Sequence, residues 1–197
     1  GWQKRQVDKR QWLEEAKLLA PYGRTQMGVL VDEVLRGFEF LSSHNRVEAK
    51  RIGVTGFSLG GNAAWYSMAC EPRIRTSVIV CGGIGSMEEL IHNGNAERHS
   101  PYYFIPHILR YFDHPEIVSS CIATRPFMAV CPTRDQDMPR SGVEKLLAKI
   151  APFYSTSGCS DKFMIYQPDG IHRFLPGYFE WMVEWFRVFL MDNDASY

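Results

Sequence analysis

Gly56-Phe57-Ser58-Leu59-Gly60-Gly61 follows directly on the apolar run Arg51-Ile52-Gly53-Val54-Thr55, and no other stretch of the chain restricts its fold so strongly. A Gly-x-Ser-x-Gly at the junction of a strand and a helix describes a sharp, strained turn that lifts a serine hydroxyl above the end of a sheet. Strand and helix backbones approach closely in such a turn, so glycine is expected at both Gly56 and Gly60. The residues after it, Asn62 to Cys70, are rich in Ala and Met and free of breakers, which suits a buried helix that begins at the serine. The positive end of that helix is then expected beneath Ser58.

The pattern on either side extends this unit. Apolar residues recur at helical spacing from Gln11 to Ala20 and from Thr25 to Ser42, where Met27, Leu30, Val31, Val34, Leu35, Phe38 and Leu41 share one face. Downstream, Thr76 to Cys81, Pro126 to Cys131 and Lys162 to Gln167 read as strands closed by Gly82-Gly83, Pro132 and Pro168-Asp169-Gly170. Gly177 to Met191 reads as a closing amphipathic helix. Alternating strands and helices predict an α/β chain with a parallel sheet covered on both faces. At 197 residues and 45% hydrophobic content, one domain over 1–197 is expected. Residues 83–124 are too long for a simple crossover and predict a helical insertion over the end of the sheet that carries Ser58. The aromatics of Pro101 to Phe112 either line a substrate pocket there or pack on the sheet.

Several function classes are disfavoured. Lys+Arg and Asp+Glu both total 22, the net charge is +0 and no basic run stands out, so nucleic acid is not an expected partner. The apolar stretches are strand-sized, well short of a bilayer span, and no signal-peptide pattern opens the chain. Cys70, Cys81, Cys121, Cys131 and Cys159 lack metal-type spacing and read as free, mostly buried thiols, so no metal or cofactor is expected and a reducing, intracellular setting is favoured. The chain opens on Gly1 rather than Met, which reads as a processed product or a partial record.

A serine hydroxyl is a weak nucleophile without a base to take its proton, and the base needs an acid to fix its tautomer. In this architecture the acid follows a later strand and the base follows the last one. Asp135 and Asp137 both lie in Thr133-Arg134-Asp135-Gln136-Asp137-Met138-Pro139, after the strand ending at Cys131; a helix-capping role near Ser141 is the alternative for either. His172, in Asp169-Gly170-Ile171-His172-Arg173-Phe174, stands where the base is needed. His44, His92, His99, His107 and His114 read as surface or packing residues, with His99 and His107 also within possible reach of substrate.

With these residues in view the chain resembles an α/β-hydrolase, in particular the acetyl xylan esterase and dienelactone hydrolase-like branch. The resemblance runs from Gly23-Arg24-Thr25 through the Ser58 motif and Glu71-Pro72-Arg73-Ile74-Arg75 to Arg125-Pro126, Asp135 and His172. It implies a serine esterase cleaving an acetyl or other small acyl ester through Ser58, Asp135 and His172. In the family the acid stands four residues before a proline, which selects Asp135, with Pro139, over Asp137. The resemblance also implies that the amide of Leu59 is one oxyanion donor. It carries one departure: the family's sheet has several strands before the serine, whereas here only about fifty, helical-looking residues precede it. The front half of the sheet and the loop supplying a second oxyanion donor are therefore expected to be missing. The strand over 51–56 would then carry an open edge, expected to be covered by an N-terminal segment, a partner chain or a second copy. Besides an esterase, the residues fit a catalytically idle structural subunit or a peptidase of the prolyl oligopeptidase type.

Overall fold

A computed structural model describes residues 9–93 and 96–191. Its four strands are β1 (Gly53–Phe57), β2 (Thr76–Val80), β3 (Phe127–Val130) and β4 (Phe163–Tyr166). They form one sheet in the order β1-β2-β3-β4 with every neighbouring pair parallel. Helices α1 (Lys9–Leu19) and α2 (Gln26–Ser43) precede β1, and α3 (Leu59–Cys70) joins it to β2. Between β2 and β3 run α4 (Met87–His92), several short 3-10 turns and α5 (His114–Ile117), which continues as a π turn over Val118–Ile122. Helix α6 (Arg140–Thr156) links β3 to β4, and α7 (Pro176–Phe186) follows, with a π turn over Arg187–Met191. No helix among the described residues is long and apolar enough to cross a membrane.

The two faces of the sheet bury different cores. Ile79, Phe127 and Ala129 point toward Met27, Val31 and Phe38 of α2, Trp65 and Met68 of α3, and Leu146 and Ile150 of α6. Val78, Val80, Met128 and Val130 point the other way, against Tyr178 and Trp185 of α7. Successive strand residues alternate between faces, so a strand covered on both sides is expected to be predominantly apolar, with polar side chains such as Thr76 and Ser77 the exception. That is why Thr76 to Val80 reads as a β-branched run, and all five of its residues are buried. Helix α3 lies deepest: Gly61 through Met68 are buried without interruption, so it lacks the polar face that α2 shows. Leu41, placed on the apolar stripe of α2 by its spacing, is exposed because the last turn of the helix runs past the core.

Pieces that look like motifs in the sequence have structural work. Thr25 caps α2, its Oγ1 accepting from the Gly28 amide at 3.0 Å. The half-buried Arg125 guanidinium donates to the carbonyls of Met68 (2.5 Å), Glu71 (3.1 Å) and Ile74 (3.1 Å), satisfying the C-terminal end of α3 and the turn after it. All five cysteines are free, but Cys70 and Cys121 are exposed, so burial holds for Cys81, Cys131 and Cys159 alone.

Among the described residues β1 pairs with β2 on one side and with nothing on the other. Phe57 at its end is 38% exposed.

Candidate active site

The turn after β1 holds Ser58 at φ 55 and ψ −123, a backbone conformation that costs a non-glycine residue about 1–3 kcal/mol. Two constraints hold it there. The Ser58 amide donates to Val80 O at 2.9 Å, continuing the β1–β2 pairing, and the Ser58 carbonyl accepts from the Asn62 amide at 3.0 Å, starting α3. A Cβ on Gly56 would fall 2.1 Å from the Gly60 carbonyl carbon and oxygen, so glycine is obligatory at 56. Gly60 differs from its sequence expectation: a Cβ there meets nothing within 4 Å. The close approach involves the Gly60 backbone, not its missing side chain. Gly61 is the second restricted position, since its Cβ would lie 2.8 Å from Gly82 Cα.

Ser58 occupies the N-cap of α3, where a serine hydroxyl usually accepts from the first turn of the helix. Its side chain makes no capping bond. Instead Oγ lies 2.8 Å from His172 Nε2. The other ring nitrogen, Nδ1, is 3.0 and 3.1 Å from the two carboxylate oxygens of Asp135. A carboxylate only accepts, so Nδ1 carries the proton and Nε2 is left to accept from the serine hydroxyl. Leu59 opens α3, and its amide is among the first donors of the helix, which have no acceptor within the helix itself.

Residues more than a hundred positions apart meet because parallel pairing persists beyond the strands. After β3, the Cys131, Thr133 and Arg134 amides donate to Tyr166, Pro168 and Gly170 carbonyls at 2.8, 2.9 and 2.9 Å. This ties the loop carrying Asp135 to the loop carrying His172. Asp135 is buried and also accepts from the Asp137 amide at 2.8 Å, which makes it a turn-forming residue as well as the partner of His172. Helix α6 begins at Arg140 behind Pro139, so neither aspartate caps it.

Burial disfavours the charged form of His172, but the hydrogen bond and charge of Asp135, with the charge of Asp137, outweigh it and raise the imidazole above its usual range; Arg98 opposes this rise. Cys81, which follows β2 at φ 50, was not singled out by its sequence. Its thiol sulfur, an Asp135 oxygen and a His172 nitrogen lie within 4.8 Å of one another. Burial and then the Asp135 charge hold the thiol well above the usual range, so it stays protonated, with Sγ 3.8 Å from Arg173 O. Its place at the carboxyl end of the strand beside β1 is the signal that marks it.

The insertion divides in two. His99 stacks on the buried Tyr103 ring at 4.1 Å, and Tyr103 donates its hydroxyl to Gly83 O at 2.8 Å, which makes Tyr103 a packing residue. Farther along, Ile105, Pro106, His107, Ile108, Tyr111 and Phe112 line a groove of about 680 Å³ with Tyr66, Ala69 and Cys70, toward the end of α3 remote from Ser58. His114 is fully buried between them: Nδ1 donates to Gly85 O at 3.0 Å and Nε2 accepts from Tyr66 O–H at 2.9 Å. Burial lowers its pKa to about 4.

The model of a protein family described as the dienelactone hydrolase family matches residues 3–105, just over half of the chain. The chain belongs to the dienelactone hydrolase family. The matched part includes the Ser58 turn and ends before Asp135 and His172. The YtaP protein of Bacillus subtilis is 30% identical over 143 residues, covering 73% of this chain and 47% of that protein. Solved structures similar in fold include two esterases. A glucuronoyl esterase from Solibacter usitatus has a TM-score of 0.63 at 16% identity, over 80% of this chain and 47% of that one. An acetyl xylan esterase from Paenibacillus sp. R4 has a TM-score of 0.60 at 20% identity, over 80% and 51%. The dienelactone hydrolase family chain therefore has an α/β-hydrolase-type fold and spans about half the length of these relatives.

Proposed function

We propose that this chain carries the nucleophile, base and acid of a serine hydrolase acting on carboxylic esters with a small acyl group, such as acetate. The observation that carries the reading is the position of His172, within hydrogen-bond reach of Ser58 Oγ on one ring nitrogen and of Asp135 on the other. In this reading Nε2 takes the hydroxyl proton as Oγ bonds to the ester carbonyl carbon, and the carbonyl electron pair moves onto oxygen. The Leu59 amide donates to that oxyanion. Collapse expels the alcohol, which leaves with the proton held by His172, and the ester becomes an acyl-serine. Water then attacks with His172 again as base, releasing the acid and restoring Ser58. Asp135 keeps the proton on Nδ1 and stabilises the imidazolium. Kinship with a family of hydrolases and a fold like that of acetyl xylan and glucuronoyl esterases support an ester as substrate.

One amide is an incomplete oxyanion site, and absence of one donor costs on the order of 10²–10³ in rate. The free edge of β1 and the exposed Phe57 point to the same gap: a further chain segment pairs with β1 and brings the second donor. The same open edge favours a second reading, a subunit whose β1 edge docks on a foreign protein and whose triad is idle. Hydrolysis of p-nitrophenyl esters from acetate to octanoate, by this chain and by its Ser58→Ala variant, separates the two. The esterase reading expects turnover that is greatest for short acyl groups and lost with Ser58. Turnover that survives Ser58→Ala, or a protein inert even with its β1 edge paired, removes it. Cleavage of aminoacyl amides in preference to esters would instead indicate a peptidase.

A further inference from the structure

Two carboxylates face the same edge of His172. Asp135 approaches Nδ1 to 3.0 and 3.1 Å, and Asp137 Oδ2 lies 3.4 Å from the same atom. One N–H is shared well with only one carboxylate, and two full negative charges beside the ring would hold it protonated. The surroundings of Asp137 resolve this competition. Its carboxylate is ion-paired with Arg98 Nε. Its backbone carbonyl accepts from His99 Nε2 at 2.6 Å, which places the single proton of neutral His99 on Nε2. Its amide donates to Asp135 Oδ1 at 2.8 Å. Arg98 and His99 belong to the insertion after β2, about forty residues upstream, and His99 is braced there by its stack on Tyr103.

We infer that Arg98 is a positioning residue for the triad: by holding the Asp137 carboxylate it leaves the Nδ1 proton of His172 to Asp135 and spares the base a second uncompensated negative charge. This rests on reading Ser58, Asp135 and His172 as a hydrolytic triad, although its physical content, the ionisation of His172, can be measured without turnover. The groups around the ring are few. The loop after β3 contributes Asp135 and Asp137, the insertion contributes Arg98 and His99, Cys81 with its protonated thiol follows β2, the last residue of β1 presents the Phe57 ring, 5.2 Å away, and the turn after it presents the Ser58 hydroxyl. Arg173 is next in the chain and exposed. His99 is kept neutral chiefly by its burial. Removing the Arg98 cation frees Asp137 to act on His172, so the base holds its proton to higher pH and a smaller fraction of the protein is competent at neutral pH.

The test is the NMR titration of the His172 ring in wild type, Arg98→Gln, Arg98→Lys, Asp137→Asn and the Arg98→Gln/Asp137→Asn double variant, with the pH profile of p-nitrophenyl acetate hydrolysis recorded in parallel. Arg98→Gln is expected to raise the His172 pKa by about half a unit or more, roughly a threefold change in its protonation ratio, and to move the acid limb of the profile with it. Arg98→Lys should restore most of that shift, and Asp137→Asn should lower the pKa below wild type. In the Asp137→Asn background, Arg98→Gln should move it by less than half as much, because Arg98 acts through Asp137. The inference is overturned if Arg98→Gln leaves His172 unmoved, if it shifts His172 equally in both backgrounds, or if Asp137→Asn has no effect. Should Arg98→Gln fail to fold, Arg98→Lys and Asp137→Asn decide alone: a lysine that leaves the titration near wild type and an asparagine that lowers it support the inference, and any other pair of results overturns it. The expected titrations without hydrolysis in any form would sink the triad reading and leave the positioning intact; wild-type hydrolysis with an unmoved His172 would do the reverse.

Discussion

The two glycines flanking Ser58 look equivalent in the motif, and the structure makes them opposite. An alanine Cβ at 56 would sit 2.1 Å from the carbonyl carbon and oxygen of Gly60 and 2.5 Å from the Gly61 amide nitrogen. Carbon contacts normally settle near 3.5–4.0 Å, so the overlap approaches an atomic radius, and all three partners are main chain. No rotamer change relieves it; β1 and α3 must separate. Overpacking that side chains can absorb costs about 1–3 kcal/mol, and Gly56→Ala is expected to cost at least about 3 kcal/mol, a large share of the roughly 5–15 kcal/mol that a domain has. At Gly60 the added methyl meets nothing within 4 Å, and the residue lies in the first turn of α3. There, alanine removes backbone entropy from the unfolded chain and should stabilise by roughly 0.5–1 kcal/mol. Urea unfolding of this chain, followed by tryptophan fluorescence, reads both. Gly56→Ala should lower the midpoint by about 1–2 M or more and Gly60→Ala should leave it equal or higher, with the slope unchanged. Equal losses at the two positions, or a greater loss at Gly60, would refute the reasoning.

Three further outcomes follow from the same geometry. Asp135→Asn should slow phosphonylation of Ser58 by a fluorophosphonate by on the order of 10³–10⁴-fold, since an amide can present an N–H to Nδ1 and invert the tautomer, whereas Asp137→Asn should change it only a few-fold; labelling rates compare them. The labelling rate should rise with pH through an apparent pKa above the ordinary histidine value, because neutral His172 is the competent form and Asp135 and Asp137 raise its pKa against the effect of burial; a midpoint below about 6.5 would contradict this. His114, fully buried with a pKa of about 4, takes up a proton on unfolding across the window between that value and the unfolded value of about 6.5. Its contribution to stability is complete above the window and lost as pH falls through it, by up to about 3 kcal/mol, so urea unfolding of His114→Gln should show a shallower decline between those pH values than wild type.

The sheet was legible where burial leaves a chemical trace. β2 and β3 are buried on both faces, so apolar residues dominate them, and Val78 to Val80 and Phe127 to Val130 announce themselves, although β2 also buries the polar Thr76 and Ser77. The sequence pattern overruns their ends by about one residue, because Cys81 and Cys131 still pair with neighbouring carbonyls after strand geometry has ended. Ser58 and His172 were legible from position, one at a strand-to-helix junction and the other after the last strand. Composition and spacing do not separate Asp135 from Asp137; only family likeness favours Asp135, and the structure sets the two at 3.0 and 3.4 Å from the same nitrogen. The interchange of Gly60 for Gly61 as a restricted position has a geometric cause, since which backbone abuts which Cβ depends on how α3 leaves the turn. Arg98 carried no local signal, and His99 was marked only for packing or reach of substrate, because their contacts to Asp137 span 39 and 38 residues and arise only when the insertion folds back on the acid loop. Likewise the His114 and Tyr66 pair joins the four-residue α5 to α3, whose Ala- and Met-rich composition marks it as buried without saying which polar atoms meet there.

Hydrolysis at this site requires Ser58 to be a live nucleophile activated by His172. Incubating the folded protein with a fluorophosphonate probe, in the form in which its β1 edge is paired, and mapping the adduct by peptide mass spectrometry measures this directly. A single adduct on Ser58 is expected, absent in Ser58→Ala and nearly absent in a folded His172→Ala. A folded protein whose Ser58 stays unlabelled, or labels equally well without His172, would contradict it.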